Sequence, residues 1–152
     1  MRFTALLLIP SLALAAPLPK NEVPSVEVKL AAKSSSVLNI TVHNNGREPL
    51  KLPYHSTPLE HIAIDMRGDS GTQYTLRFPV DDEDKGRSET LTIEPGKSKT
   101  FTVHTCHSMP ELGNPQKVTF KSSLKIEKRT YTSEPLTVGQ GDDDGGPLGT
   151  AR

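Results

Sequence analysis

What most constrains this chain is an alternation of apolar and polar residues with period two, which begins at Val26 and hardly pauses before Val138. Val26, Val28 and Leu30 are separated by Glu27 and Lys29, and Leu38, Ile40 and Val42 by Asn39 and Thr41. Successive side chains of a strand point to opposite faces, so each segment is expected to bury one face and wet the other. Leu50, Leu52 and Tyr54 continue the pattern, then Ile62, Ile64 and Met66, then Tyr74, Leu76 and Phe78. Leu91 and Ile93 restart it after a charged loop over 81–87. Phe101 and Val103 answer on the next strand. Val118, Phe120, Leu124 and Ile126 predict a longer strand, and Leu136 and Val138 the last, with Tyr131 near its start.

Turn chemistry falls between these runs. Asn44-Asn45-Gly46 and Gly68-Asp69-Ser70-Gly71 supply residues that tolerate positive φ, and Pro95-Gly96 predicts a tight turn. No segment shows a 3.6-residue period. About seven to nine short strands with such punctuation predict an all-β, immunoglobulin-like antiparallel sandwich over 25–138.

The flanks read differently. Residues 1–15 look like a signal peptide: Arg2 gives a positive start, Ala5 to Leu12 an apolar run, and Ala13-Leu14-Ala15 a small-x-small cleavage pattern ending at Ala15. That run is too short to anchor in a bilayer, for which about 18 apolar residues are needed. The mature chain is therefore expected outside the cell, beginning with a Pro-containing linker over 16–24. Residues 139–152 are Gly- and Asp-rich and are expected to form a flexible acidic tail. Asp142, Asp143 and Asp144 lack the pre-organised oxygen shell that calcium needs.

Eighteen basic and eighteen acidic residues balance, and loss of Arg2 with the leader leaves 17 against 18. No basic field is expected to attract nucleic acid and no polybasic patch to hold an anionic membrane, so neither is expected as a partner. Cys106 is the only cysteine, which excludes an intramolecular disulfide.

No catalytic residue emerges. The chain lacks G-x-S-x-G, H-E-x-x-H and a Gly-rich phosphate loop. Cys106 and His107 are adjacent, so on a strand they face opposite ways and make a poor nucleophile–base pair. His104 and Cys106 share a face and are the candidate metal ligands, with His43, His55 or His61 as a third. The plainer reading is a strand end with exposed histidines and a buried thiol, and no cofactor is expected. Asn39-Ile40-Thr41 is an N-glycosylation sequon on the wet side of its strand. Lys128-Arg129, at an expected hairpin tip, offers a dibasic processing site or simply a charged turn.

Several stretches resemble a known family. Val26-Glu27-Val28-Lys29-Leu30, Asn39-Ile40-Thr41-Val42-His43-Asn44-Asn45-Gly46, Glu48-Pro49-Leu50-Lys51-Leu52 and Leu91-Thr92-Ile93-Glu94-Pro95-Gly96-Lys97-Ser98 are similar to the non-catalytic N-terminal region of fungal deuterolysin-type zinc metalloendopeptidases. The resemblance covers about Val26 to Val138. It implies a secreted, fungal-type, prodomain-like module that inhibits a protease or assists its folding. The catalytic domain of that family, with its H-E-x-x-H pair, has no counterpart here, so no catalytic position carries over.

Three readings of function follow. The leading one is a secreted binding module whose partner is another secreted protein, such as a metalloprotease, engaged through the loops Tyr54 to His61 and His107 to Pro115. The second is an orphaned or truncated zymogen fragment. The third, a wall-carbohydrate module, is disfavoured because Tyr54, Tyr74 and Tyr131 are the only Tyr or Trp platforms for stacking on sugars.

Overall fold

A computed structural model describes residues 25–34, 36–105, 110–113 and 115–139. The segments 1–24, 106–109 and 140–152 lie outside it. These include the leader with Ala15, both members of the Cys106–His107 pair, and the acidic tail.

The described chain is an antiparallel β-sandwich, as the alternation predicts. Ten strands occur in chain order: β1 (Val26–Ser34), β2 (Val37–Asn44), β3 (Leu50–Tyr54), β4 (Ile62–Gly68), β5 (Gln73–Arg77), β6 (Glu89–Ile93), β7 (Ser98–His104), β8 (Lys117–Ile126), β9 (Arg129–Thr132) and β10 (Leu136–Gly139). One sheet has the order β1-β2-β7, and β3 and β6 pair as a two-stranded sheet. The facing sheet has the order β10-β8-β4-β5, with β9 also paired to β8. No α-helix occurs among the described residues; three short 3₁₀ turns lie at Pro58–His61, Asp82–Asp84 and Pro110–Leu112.

The apolar members of each alternating run meet in one core. Val26 and Val28 from β1, Leu38, Ile40 and Val42 from β2, and Val103 from β7 supply one side. Ile62, Ile64 and Met66 from β4 and Val118, Phe120 and Leu124 from β8 supply the other. Leu38, Ile40, Ile64, Phe120 and Leu124 are wholly inaccessible to solvent. At roughly 1.5–3 kcal/mol for each fully buried aliphatic or Phe side chain, this layer is the main source of stability.

Two expected turns do different work from a hairpin. Pro95-Gly96 does form a tight turn, with Gly96 at φ 71° and the Lys97 amide donating to the Glu94 carbonyl at 3.0 Å. The strands it joins do not pair with each other: β6 pairs with β3 and β7 with β2. Asn44-Asn45-Gly46 likewise joins β2 to β3 without pairing them. The two bent runs, β2–β3 and β6–β7, lie side by side, and their corners are laced together. The Asn44 amide donates to the Lys97 carbonyl at 3.0 Å, and the Gly96 amide to the Asn44 carbonyl at 2.8 Å.

The mechanism at Asn44-Asn45-Gly46 also differs from the expectation. Neither Asn45 nor Gly46 uses positive φ. The Asn44 side chain makes the corner instead. Its Oδ1 accepts the Gly46 amide at 2.9 Å, and its Nδ2 donates to the Glu48 and Ile93 carbonyls, both at 2.8 Å. Asn44 is 2% exposed and its bond to Ile93 is buried, so the Ile93 carbonyl has no easy recourse to water.

The β4–β5 turn is a true hairpin: the Gly71 amide donates to the Gly68 carbonyl at 3.0 Å, and Gly71 takes φ 87°. At the β8–β9 hairpin, Ile126 pairs with Arg129, leaving Glu127 and Lys128 as a two-residue loop.

The expected last strand is two. Ser133 to Pro135 interrupts it, and the register on β8 slips by one residue between β9 and β10. Proline has no amide to give a ladder. At the break the Ser133 hydroxyl stands in for a backbone carbonyl, accepting the Ser122 amide at 2.9 Å, while the Ser133 amide donates to the Ser122 carbonyl at 2.9 Å.

Candidate functional site

The connection between β3 and β4, Tyr54 to His61, is held in one shape by a single carboxylate; His55 is exposed and the rest is half-buried, with Leu59 packed against the core. Glu60 sits in the short 3₁₀ turn and folds back on the chain before it. Its Oε1 accepts the amides of His55 at 3.0 Å, Ser56 at 2.5 Å and Thr57 at 3.0 Å. Thr57 caps the turn in return, its Oγ1 accepting the Leu59 amide at 3.3 Å, and Pro58 presets the first turn residue. This is a capping box with two additional amides on the same oxygen.

Burial pushes the Glu60 carboxyl up, but the amides of Thr57, Ser56 and His55 and the His55 ring outweigh it and hold the carboxyl below its ordinary range. The Glu60 side chain is 9% exposed, whereas His55, whose Nδ1 lies 3.3 Å from Glu60 Oε2, is 45% exposed. The arrangement therefore presents His55 on a loop whose backbone amides are already satisfied.

Two further ties fix the loop to its surroundings. The His61 Nε2 lies 2.5 Å from the Pro53 carbonyl, and Ser56 Oγ accepts the Asp81 amide at 3.1 Å. The latter bond links the loop to the charged 81–87 segment. Beside it, the Tyr54 hydroxyl donates to Glu89 Oε2 at 2.5 Å, and that bond raises the phenol above its ordinary range.

The other loop singled out from sequence behaves differently. Within His107 to Pro115, Leu112 is 1% exposed and Pro115 is buried against Gly68, where an added Cβ would meet Pro115 Cβ at 3.1 Å. Its described part seats Leu112 and Pro115 in the core and leaves Pro110 and Glu111 exposed.

The candidate metal ligands that are described are not gathered. His104 is exposed at the end of β7, and Cys106 lies outside the described residues. His43 pairs with Ser98 while His104 pairs with Val37, six register steps apart and so about 20 Å along the sheet. His43 Nδ1 is engaged with Ser98 Oγ at 2.7 Å. His55 follows Tyr54, which pairs with Glu89 at the opposite extreme of the β6–β7 run from His104. Among the described residues no group of three or more His, Cys, Asp or Glu is placed to hold a metal ion.

Asn39 is half-buried on the outer face of β2, where Thr102 Oγ1 donates to its Oδ1 at 2.9 Å. Lys128 is exposed in the two-residue hairpin loop and Arg129 opens β9 beside it. The tyrosines form no common platform: Tyr74 and Tyr131 lie on opposite edges of one sheet, and Tyr54 lies on β3. A cleft of about 390 Å³ opens between the start of β1, the Asn44–Leu50 corner and the β8–β9 hairpin. Sequence reasoning missed this cleft because it depends on three distant segments meeting. No described helix is long and apolar enough to cross a membrane.

No family model matches the chain. No curated protein matches it either. Among solved structures it is similar to the archaellum periplasmic stator protein complex FlaF and FlaG from Sulfolobus acidocaldarius, with a TM-score of 0.43 and 13% identity over 84% of this chain and 100% of that one. It is also similar to Bacteroides uniformis beta-glucuronidase 2, with a TM-score of 0.37 and 12% identity over 76% of this chain. The match spans 13% of that enzyme chain. Likeness of this degree carries no argument about chemistry or partners.

Proposed function

We propose that this chain is a secreted, non-catalytic β-sandwich that binds another secreted protein through its Tyr54–His61 loop, acting as an inhibitor or folding partner. The observation that carries this reading is the Glu60 carboxylate, which takes three consecutive backbone amides and fixes a half-buried loop, with His55 exposed on it, before any partner arrives. A loop already ordered loses little conformational entropy on docking, which is how rigid inhibitor loops gain affinity. The resemblance to the N-terminal region of deuterolysin-type metalloendopeptidases supplies the partner class: a secreted zinc metalloprotease.

Titrating a purified deuterolysin-type metalloendopeptidase with the full chain tests the proposal. Loss of protease activity at about one equivalent, or recovery of active enzyme from a refolding mixture only when the chain is present, is the expected result. Unchanged activity and unchanged refolding yield at about tenfold excess would remove it.

A further inference from the structure

Strand alternation sorts the charges of this neutral chain onto separate faces, and the outer face of the five-stranded sheet is basic. Lys117, Lys121 and Lys125 alternate outward on β8, Arg67 on β4 and Arg77 on β5, all exposed. Register fixes their layout. Arg67 stands opposite Thr119, Asp65 opposite Lys121, and Ala63 is flanked by Arg77 and Ser123. With about 3.4 Å per residue and about 4.8 Å between strands, the five cations follow a zigzag roughly 27 Å long.

Asp65 is the single carboxylate at an outward position of these three strands, and it accepts the Thr75 hydroxyl at 2.7 Å. None of the five cations forms an ion pair with a described residue. Exposed hydroxyls line the same side, with Thr119 and Thr137 paired at 2.9 Å and Thr130 and Thr132 following on β9.

The outer face of β1-β2-β7 contrasts with it. There Lys29 pairs with Glu27 at 3.2 Å, and cross-strand bonds join Thr41 to Thr100, His43 to Ser98 and Asn39 to Thr102. One face is laced by side-chain bonds, and the other carries five cations with no ion-pair partner among the described residues.

We propose that the outer face of the β10-β8-β4-β5 sheet binds a linear anionic polysaccharide, its cations meeting carboxylate or sulfate groups and its hydroxyls meeting sugar hydroxyls. A row of cations separated by several ångströms suits a stiff chain that repeats its charge, and it would compensate four net charges over the strip. The face carries no outward aromatic side chain, so it lacks the stacking platforms that single-stranded nucleic acids use. This surface is separate from the Tyr54–His61 loop, and its occupancy does not depend on a protein partner.

The test is binding of the full chain to heparin oligosaccharides at graded salt, beside an oligothymidylate of matched charge. The expected result is retention of heparin in preference to the oligonucleotide, with log affinity falling linearly with log salt at a slope of about four. The Arg77→Gln/Lys121→Gln/Lys125→Gln variant should bind at least about tenfold more weakly with an unchanged melting temperature, whereas Lys29→Gln/Lys33→Gln on the opposite sheet should bind as the parent does. Absence of binding at low salt, equal retention of oligothymidylate, or equal losses in the two variants would each overturn the proposal.

Discussion

Three side chains decide local structure out of proportion to their size. Glu127 adopts φ 52° in the two-residue β8–β9 loop, where an L side chain meets its own carbonyl. Glu127→Gly should raise stability by about 1 kcal/mol, seen as a melting temperature several degrees higher. Asn44 holds three backbone groups at the double corner. Asn44→Ala should cost about 2 kcal/mol in chemical denaturation, because the Ile93 carbonyl loses its partner in a buried site while the Glu48 carbonyl and Gly46 amide can turn to water.

Glu60 is the third, and its effect depends on pH. Its carboxyl is held below the ordinary range in the folded chain, so its contribution is fully present above the unfolded carboxylate pKa. That contribution fades as pH falls through the lower, folded value. Amide exchange in the 55–57 segment should therefore accelerate on acidification into and below the carboxylate range, relative to the core strands. In Glu60→Gln the same amides should exchange faster at neutral pH, with global stability lowered by about 1–2 kcal/mol.

At the scale of elements, the strands were legible in the sequence and their partners were not. Each run such as Ile62-Ala63-Ile64-Asp65-Met66 announces its buried face, because period-two burial needs only the order of residues along one segment. Pairing is set by tertiary contacts, and local signals misdirect it: Pro95-Gly96 and Asn44-Asn45-Gly46 both look like hairpin turns yet make adjacent corners of two long bent strands. The break between β9 and β10 was hidden in the same way. Pro135 hints at it, but the Ser133 hydroxyl that stands in for a backbone carbonyl is recognisable only once Ser122 lies beside it.

That pair gives an asymmetric prediction. Ser133→Ala leaves the buried Ser122 amide without its side-chain acceptor and should cost about 1–2 kcal/mol. Ser122→Ala removes a hydroxyl that is wholly buried and finds no partner among the described residues, so it should be neutral or slightly stabilising. Denaturation midpoints of the two variants, measured side by side, check the difference.

At the scale of the whole molecule, composition gave a neutral chain, while folding separates an internally bonded polar face from a basic one. Net charge could not convey this, since it averages over the two sheets that alternation keeps apart. The candidate site was half legible: Tyr54 to His61 stood out as a Pro-containing loop, but Glu60 drew no notice, because an acidic residue six positions beyond Tyr54 is ordinary until its carboxylate is seen to collect three amides. The metal hypothesis rested on the sequence neighbours His104 and Cys106, of which Cys106 lies outside the described residues; the sheet register sets one proposed third ligand, His43, at the opposite end of its strand pair from His104.

The most direct test of the binding account is the hydrogen-exchange footprint of the chain mixed with a deuterolysin-type metalloendopeptidase. The loop reading predicts added protection centred on residues 54–61 in the wild-type complex, and affinity weakened about tenfold or more in Glu60→Gln. Failure to form a complex, or protection that leaves 54–61 unchanged, would contradict it.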